Sequence, residues 1–167
     1  MTRSNGQSRV KIGLIAARGG HMKQLLFLRE AYSSYTCFLV TNRVAEDVAP
    51  TPEISARYFV ADINQGKWTN PFRLCRIFLQ YAWIYWREKP NFIISTGPGI
   101  AVPGFMLGRL LGVKTIFIES GARVVSLSHA GRLCYHLSDL FLVQNRALTQ
   151  RYPRASYHGA LYENLAE

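Results

Sequence analysis

Short apolar runs alternate along this chain with segments whose apolar residues recur three or four positions apart. The runs predict strands buried on both faces, as in parallel sheets, and the segments between them predict helices. This alternation predicts an α/β fold, a Rossmann-like parallel sheet with helices on both faces. The predicted strands are residues 10–17, 36–41, 57–61, 91–96, 114–119, 140–144 and 156–161, and the predicted helices are residues 22–32, 71–87, 103–111, 128–137 and 145–152.

The length of the chain suits one such domain. With 167 residues it can bury one substantial core, so we predict a single domain over residues 10–167. The polar residues 1–9 predict a disordered N-terminus, and residues 42–55, with two prolines, predict a loop. No apolar run reaches the roughly 20 residues that span a bilayer, and the first run ends in a polar loop, unlike a secretory signal.

Composition and charge point to an anionic partner. The chain carries 20 Lys and Arg against 10 Asp and Glu, a net charge of +10, yet only 18% of its residues are charged. Arginine suits contact with phosphates, so candidate partners are nucleic acid, an anionic membrane surface or a phosphate-bearing substrate. The basic residues are scattered and form no nucleic-acid-binding motif, so we predict no nucleic-acid partner.

The cysteines give no sign of a metal site. Cys37, Cys75 and Cys134 lie far apart in the sequence, without the spacing of metal ligands. Cys37 and Cys134 fall in apolar patterns and are predicted to be buried thiols. This use of cysteine is typical of a reducing cytosol.

The loop after the first strand is the main candidate for chemistry. Gly19 and Gly20 precede His21, which stands where the next helix begins. The glycines let a ligand approach backbone N–H groups, and the helix start adds a partial positive charge, a combination that favours phosphate. His21 adds a group that can accept a proton near neutral pH. The alternative interpretation is an ordinary strand-to-helix turn with a surface histidine.

Two common nucleotide motifs are missing from this loop. It lacks the G-x-G-x-x-G pattern of dinucleotide-binding proteins, and the second strand ends without the acidic residue that would bind a ribose. No Gly-Lys-Ser/Thr sequence follows the glycines, as a phosphate-binding P-loop requires. Nicotinamide chemistry and ATP hydrolysis are therefore poor interpretations.

Two further loops should meet the first one, because the carboxyl ends of parallel strands share one edge of the sheet. Gly97 and Gly99 follow the fourth strand and form either a second anion-binding turn or a simple strand end. Glu119 follows the fifth strand; it contacts a sugar hydroxyl or His21, or else pairs with Arg123 or caps the next segment. Arg123 is either a phosphate clamp or a surface arginine.

The helix at residues 71–87 is unusually rich in aromatic and arginine residues. On a helical wheel its arginines fall within about 60° of one another, and most of the remaining surface is apolar. This pattern predicts a helix that lies in the interface of an anionic membrane; the alternative is a core helix with one solvated edge. The run is too short and too charged to span a bilayer. The predicted membrane-contact residues are Arg73, Arg76, Trp83, Trp86 and Arg87.

Four motifs carry a resemblance to a known family. They are residues 19–21 (GGH), 93–99 (IISTGPG), 116–123 (IFIESGAR) and 139–144 (DLFLVQ). In this order and spacing they resemble PssD-type bacterial polysaccharide-biosynthesis subunits. Those are similar to the membrane-recruiting subunit of the two-component N-acetylglucosaminyl transferase of the dolichol pathway. More distantly, the motifs resemble the acceptor half of MurG-like GT-B glycosyltransferases.

The resemblance implies one half of a split, inverting glycosyltransferase. This chain would be the N-terminal, acceptor-side half of a GT-B fold, and a small partner subunit would supply the donor-binding half of a heterodimer. The enzyme would transfer a sugar from a UDP-sugar to a polyprenyl-diphosphate-linked acceptor in polysaccharide biosynthesis, including exopolysaccharide. It would work peripherally at the cytoplasmic face of the membrane. No metal or cofactor is implied, the UDP-sugar being a substrate. The alternative is a non-catalytic membrane scaffold that recruits a catalytic partner.

Within that reaction the resemblance implies particular roles. His21 would be the general base, and Glu119 would orient the acceptor sugar or His21. Arg123 would meet a phosphate of the lipid carrier. The residues predicted to bind substrate are Gly19, Gly20, Gly97, Gly99, Ser120 and Arg123.

Overall fold

A computed structural model describes residues 10–42, 52–61 and 71–161. The predicted disordered N-terminus lies outside these residues, and so does the segment 43–51 of the predicted loop.

The described residues contain one parallel sheet of seven strands, in the order β3-β2-β1-β4-β5-β6-β7. Neighbouring strands are in parallel register throughout, for example Ile15 beside Val40 on one side and beside Ser95 on the other. The predicted strands are therefore present, with two differences in their bounds. The third begins earlier than predicted, at Ile54, and the last, predicted over residues 156–161 as a strand or a C-terminal arm, is a strand only over Ala155–Tyr157. The strands are β1 (Lys11–Ile15), β2 (Thr36–Asn42), β3 (Ile54–Val60), β4 (Phe92–Ser95), β5 (Lys114–Ile118), β6 (Leu140–Val143) and β7 (Ala155–Tyr157).

Helices connect the strands, with one departure from the predicted pattern. The predicted helix at 22–32 is two helices that meet at Leu28, whose backbone leaves the helical conformation. Leu26 is exposed, whereas the polar Gln24 is buried and its side chain accepts a hydrogen bond from Gln144. The helices are α1 (Gly20–Phe27), α2 (Arg29–Tyr32), α3 (Pro71–Glu88), α4 (Ala101–Leu110), α5 (His129–Leu137) and α6 (Ala147–Arg151).

The core has a layer on each face of the sheet. One layer joins α1 and α2 to β1 and β2, with Leu14, Leu25 and Leu39 buried together. The other joins α3, α4 and α5 to the opposite side of the strands and includes Phe38 and Phe117. This arrangement follows from strands that are apolar on both faces.

Helix α3 runs from the carboxyl edge of the sheet to its amino edge, because it leaves β3 and returns the chain to β4. Its inner face is fixed to α4 by two tyrosines. The hydroxyl of Tyr81 donates to the carbonyl of Ile100 at 2.8 Å, and that of Tyr85 donates to the carbonyl of Gly104 at 3.0 Å. Burial raises the pKa of both phenols, so they remain protonated donors.

A charged cluster closes the amino edge. Lys11, at the start of β1, donates to the carboxylate of Glu88 at 2.8 Å, and the Tyr58 hydroxyl donates to the other oxygen. Burial acts to raise the pKa of Glu88, but these hydrogen bonds outweigh it and lower the pKa. The cluster ties β1, β3 and the end of α3 together.

We predict that Gly104→Ala destabilises the fold, although alanine is the better helix former by about 1 kcal/mol. A Cβ at Gly104 would lie 2.8 Å from the ring of Tyr81 and 3.0 Å from Ile15. The expected loss is about 1–3 kcal/mol in the free energy of unfolding, measured by urea denaturation. Gly108→Ala on the same helix is the control, because its Cβ would meet Thr115 at an ordinary 3.4 Å. Equal stabilities of the two variants would contradict the close packing.

Candidate functional site

The candidate site lies where the strand order changes direction. The chain adds β2 and β3 on one side of β1, then crosses to β4 on its other side. Loops that follow β1 and β4 diverge from this point and leave a crevice at the carboxyl edge, where open α/β sheets bind ligands. His21 follows β1 and Gly97 follows β4, so both lie at this crevice.

His21 is fixed in orientation by Thr96. Its ring nitrogen Nδ1 lies 2.6 Å from the carbonyl oxygen of Thr96, and the Thr96 hydroxyl donates to the carbonyl of His21 at 2.7 Å. A carbonyl can only accept, so Nδ1 must carry the hydrogen. In the neutral ring Nε2 then keeps its lone pair and can accept a proton.

Gly97 makes room for the imidazole. A Cβ at this position would lie 3.3 Å from Cε1 of His21 and 3.6 Å from the carbonyl oxygen of Ile118. The backbone of Gly97 has φ 105°, which disfavours residues with side chains. The structure thus brings the predicted residue Gly97 against His21, close to the end of β5.

Gly19 and Gly20 are exposed at the beginning of α1. Gly19 occupies the N-cap with φ 88° and supplies no side chain to cap the helix. Among the described residues, apart from the glycines' chain neighbours and the adjacent helix backbone, no atom lies within 4 Å of the position that a Cβ would take at either glycine. The start of α1 therefore offers a ligand direct access to backbone and to the positive end of the helix.

Two backbone N–H groups that follow the turn at Gly99 form hydrogen bonds within the turn. The N–H of Ala101 donates to the carbonyl of Pro98 at 3.0 Å, and that of Val102 donates to the carbonyl of Gly99 at 3.2 Å. Space around Gly99 is open, with nothing within 4 Å of a Cβ position. The turn accordingly begins α4 and leaves room above Gly99.

Glu119 directly follows β5, as predicted, and its carboxylate is directed toward α5. Its side chain is fully buried, and it accepts hydrogen bonds from the Ser120 N–H at 2.9 Å and from Ser128. Within the described chain it forms no ion pair with Arg123. This geometry agrees with the alternative in which Glu119 caps the segment that follows it.

Ser128 is the residue that turns Glu119 toward α5. Both its backbone N–H, at 3.0 Å, and its hydroxyl, at 3.1 Å, donate to Oε2 of Glu119. The same hydroxyl oxygen accepts from the Gly131 N–H at 2.9 Å and caps α5. A Cβ at Gly131 would lie 1.8 Å from Oε2, so only glycine fits beside the carboxylate.

The loop between Glu119 and α5 carries the remaining predicted residues. The carbonyl of Ser120 accepts from the Arg123 N–H at 2.9 Å, which forms a tight turn. Ser120 is half-buried and Arg123 is exposed at the carboxyl edge. Glu119 therefore shapes the turn that presents Arg123.

A second polar contact joins this loop to α1. The buried side chain of Gln144, just after β6, donates to Gln24 at 3.1 Å and to the carbonyl of Glu119 at 2.9 Å. Its oxygen accepts from the N–H of Leu161 at 3.0 Å. Gln144 therefore fixes α1, and with it His21, relative to the end of β5.

The outer face of α3 carries the predicted membrane-contact residues. Trp83 is 51% and Trp86 75% exposed, so neither tryptophan belongs to the core. Arg76 and Arg87 are exposed and Arg73 is half-buried, with the guanidinium of Arg87 5.5 Å from the ring of Trp83. The helix thus combines a buried inner face with an outer face of rings and arginines.

Neither a membrane span nor a metal-binding group occurs in the part of the chain that the structure describes. None of its helices combines the length and the apolar character needed to cross a bilayer. No cluster of His, Cys, Asp or Glu there is arranged to hold a metal ion.

Comparison with known sequences identifies the family. Residues 54–161, more than half of the chain, match the family described as oligosaccharide biosynthesis protein Alg14 like. The chain belongs to this Alg14-like family. The matched region contains every candidate site residue except those of the first loop.

Individual relatives agree with this assignment. UDP-N-acetylglucosamine transferase subunit ALG14 of Mus musculus is 28% identical over 181 residues, which covers 91% of this chain and 83% of the mouse protein. The Homo sapiens subunit is 40% identical over 82 residues, covering 45% and 38%. That of Candida albicans is 42% identical over 90 residues, covering 50% and 41%. The human and Candida alignments thus span less than half of those proteins.

Solved structures confirm the predicted fold class. UDP-N-acetylglucosamine 2-epimerase from Rickettsia bellii superposes with a TM-score of 0.66 at 12% identity, over 93% of this chain and 46% of the epimerase. MurG from Acinetobacter baumannii gives 0.64 at 15% identity, over 81% and 41%. The Alg14-like chain therefore has the Rossmann-like fold of one half of a GT-B protein and spans less than half of each of these chains.

Sequence reasoning missed the residues that hold the site together. Thr96 and Gln144 fall inside the motifs of the Alg14-like chain, but their contact partners lie far away in sequence, so the motifs indicate no role for either residue. For Ser128 the sequence pattern predicts only that it begins a helix. A serine directly before a helix is a recognisable N-cap, and this signal would have suggested its contact with a nearby carboxylate.

We predict that Glu119→Gln destabilises the Alg14-like chain by about 1–3 kcal/mol. Whichever way the amide is placed, its NH₂ group faces a backbone N–H that now donates to a carboxylate oxygen, of Ser120 or of Ser128. Urea denaturation measures the loss. Glu30→Gln on the exposed surface of α2 is the matched control and should change stability by less than about 0.5 kcal/mol. Equal effects would mean that the carboxylate does not hold the loop.

Proposed function

We propose that this Alg14-like chain is the acceptor-side subunit of a split, inverting glycosyltransferase that uses a UDP-sugar. The observation that carries the proposal is the orientation of His21, whose Nδ1 is committed to Thr96 while Nε2 remains available at the ligand-binding crevice. The names of its relatives, UDP-N-acetylglucosamine transferase subunits, support N-acetylglucosamine as the transferred sugar. The PssD-type resemblance supports an acceptor in bacterial polysaccharide biosynthesis.

A partner subunit would complete the enzyme. The chain corresponds to 46% of the epimerase and 41% of MurG, which is one half of a two-domain fold. A separate, smaller chain would supply the donor-binding half and most contacts to the UDP group. The active form would be a heterodimer, with the reaction in the cleft between the two halves.

The reaction assigns His21 the role of general base. The acceptor hydroxyl oxygen attacks the anomeric carbon while the bond from that carbon to UDP breaks, and configuration inverts. Nε2 takes the hydroxyl proton, and the carbonyl of Thr96 continues to accept from Nδ1, so the imidazolium keeps its orientation. Holding the base in one orientation lowers the entropic cost of reaching the transition state.

The phosphates of a polyprenyl-diphosphate-linked acceptor would bind beside this base. The uncapped start of α1, at Gly19 and Gly20, is suited to an anion, and Arg123 reaches the same edge of the sheet. Gly99 would give the substrate room, as the open space there allows, and Gly97 would contribute by accommodating the imidazole of His21 beside the substrate. Glu119 acts through Ser120 and is a positioning residue for this loop.

The outer face of α3 would hold the subunit on the membrane. Exposed rings beside arginines are typical of helices that lie in the interface of an anionic bilayer. Such contact would be peripheral, at the cytoplasmic face where UDP-sugars are available. A scaffold without catalytic function would use the same face, so membrane contact alone does not distinguish the two functions.

We predict that His21→Ala lowers kcat of the complex with the donor-binding subunit by about a hundredfold, because the base is lost. The measurement is sugar transfer to a lipid-linked acceptor, with assembly of the complex checked by gel filtration. His136→Ala, an exposed histidine near the end of α5, is the control and should retain full activity. The chain without its partner should show no transfer.

An unchanged kcat in the His21→Ala complex would favour the scaffold function over the catalytic one. Transfer at an ordinary rate by the isolated chain would rule out the split enzyme.

We predict that replacing Arg73, Arg76 and Arg87 by glutamine weakens binding to anionic liposomes by on the order of a hundredfold, since each arginine near such a surface contributes about 1 kcal/mol. Raised salt should mimic the loss. Flotation measures binding. The matched control replaces Arg132, Arg146 and Arg151, which removes the same charge from exposed positions elsewhere.

Serine at both Trp83 and Trp86 should also weaken flotation, with little change in its salt dependence and no loss of folded structure by circular dichroism. If both triple variants float equally well, the membrane does not bind at α3.

A further inference from the structure

An apolar groove of about 490 Å³ lies between β3 and the outer side of α3. Its volume is within the roughly 300–1,000 Å³ of ligand pockets. It is open along one side and follows α3 over about 18 Å. The lining residues are Tyr58, Phe59, Phe72, Cys75, Arg76, Leu79, Gln80, Trp83 and Ile84.

The floor of the groove is already in place without a ligand. The ring of Tyr58 packs edge-on against Trp83 with 5.7 Å between centroids, and its hydroxyl is bonded to Glu88. The side chain of Gln80 accepts a hydrogen bond from the N–H of Ala61 at 3.2 Å. The floor of the groove therefore has its Tyr58 hydroxyl and Gln80 oxygen already bonded, so a ligand would bind there at little cost in ordering these side chains.

Charge in the groove is confined to one end. Arg76 lies in the first half of α3, and this end of the helix is at the carboxyl edge of the sheet, as is His21. Beyond Arg76, toward the amino edge, α3 contributes Leu79, Gln80, Trp83 and Ile84 to the lining, and the side-chain oxygen of Gln80 is already bonded. The groove therefore presents a cation at the end nearer the candidate site and only apolar or already-bonded groups further along.

We propose that the groove binds a single hydrocarbon chain of a phosphorylated lipid, with the chain along Leu79 and Trp83 and the phosphate at Arg76. The proposal deepens the proposed function, on which it rests, because it adds a site for one extracted chain to the surface contact of α3 with a bilayer.

The chemistry of the lining favours a hydrocarbon over a peptide. A peptide backbone needs acceptors for its N–H groups. Here Arg76 can only donate, and the oxygens of Gln80 and Tyr58 already take part in other hydrogen bonds. A hydrocarbon chain needs no such partners, and its burial against rings and aliphatic side chains is favourable in proportion to the apolar area removed from water.

The test uses geranylgeranyl diphosphate as a soluble probe, measured by equilibrium dialysis with the full chain and no vesicles. We expect saturable binding of one molecule per chain, with inorganic diphosphate bound far more weakly because it lacks the hydrocarbon chain. Leu79→Gln should weaken binding about tenfold, because it places an amide in the path of the chain. Leu110→Gln on α4 is the matched control: Leu110 is 80% and Leu79 65% exposed, but Leu110 lies outside the groove, so binding should be unchanged.

A second comparison tests whether the phosphate binds at Arg76. Arg76→Gln should weaken binding of geranylgeranyl diphosphate about tenfold and leave binding of the alcohol geranylgeraniol unchanged, since only the former carries the anion. Equal losses for both probes would overturn the placement of the phosphate at Arg76.

Cys75 reports whether the probe occupies the groove. It is exposed and lines the groove, whereas Cys37 and Cys134 are buried. Burial also raises the pKa of Cys37 to about 11 and raises that of Cys134, so a water-soluble maleimide at neutral pH should modify Cys75 selectively. Saturating geranylgeranyl diphosphate should slow this reaction about tenfold, in proportion to occupancy.

Non-saturable uptake, unchanged reactivity of Cys75, or equal losses for Leu79→Gln and Leu110→Gln would each overturn the proposal. The proposed function fails differently: if His21→Ala leaves transfer unchanged while the probe binds one to one and protects Cys75, the groove stands and the catalytic assignment falls.

Discussion

The candidate site depends on the double hydrogen bond between His21 and Thr96. One bond runs from the imidazole to a backbone carbonyl, and the other from a hydroxyl to the backbone of the histidine. Together they join the loops after β1 and β4, the two strands between which the sheet changes direction. Among the described residues, these are the hydrogen bonds that select one orientation of the ring. Many parallel sheets have a crevice at the carboxyl edge. In this chain the contact also fixes the orientation of Nε2 of His21 in that crevice.

A second set of buried polar contacts fixes the elements around the His21–Thr96 contact. Glu119 holds the loop to α5, and Gln144 holds α1 to the end of β5. Each group is buried with its hydrogen-bonding needs met, as a polar side chain in a core requires. The two sets of contacts meet at Glu119, through its side chain and its carbonyl. A shift of the loop between Glu119 and α5 would therefore also displace α1. The site is thus preorganised by contacts between loops that are distant in sequence.

The sequence predicted the sheet and its carboxyl edge well, since continuous apolar runs mark buried parallel strands and such strands place their loops together. It predicted less well where tertiary contacts decide. The inward orientation of Gln24 follows from its hydrogen bond with Gln144, just after β6, a partner that no local pattern reveals. The direction of Glu119 follows from Ser128, nine positions later, and from the absence of a side chain at Gly131. Topology predicts that the loops carrying Glu119 and His21 share one edge of the sheet. It does not predict that the Glu119 carboxylate bonds to Ser128.

The cluster of Lys11, Tyr58 and Glu88 has a consequence for how the molecule can be altered. It ties strands and helix together at the amino edge, at the opposite end of the strands from His21. The cluster that braces the fold and the candidate site therefore lie at opposite ends of the same strands. Natural proteins commonly lose activity when a working site is made more rigid. In this chain an engineer can add stabilising substitutions around the amino edge, where they brace the scaffold without touching the loops that must receive a substrate.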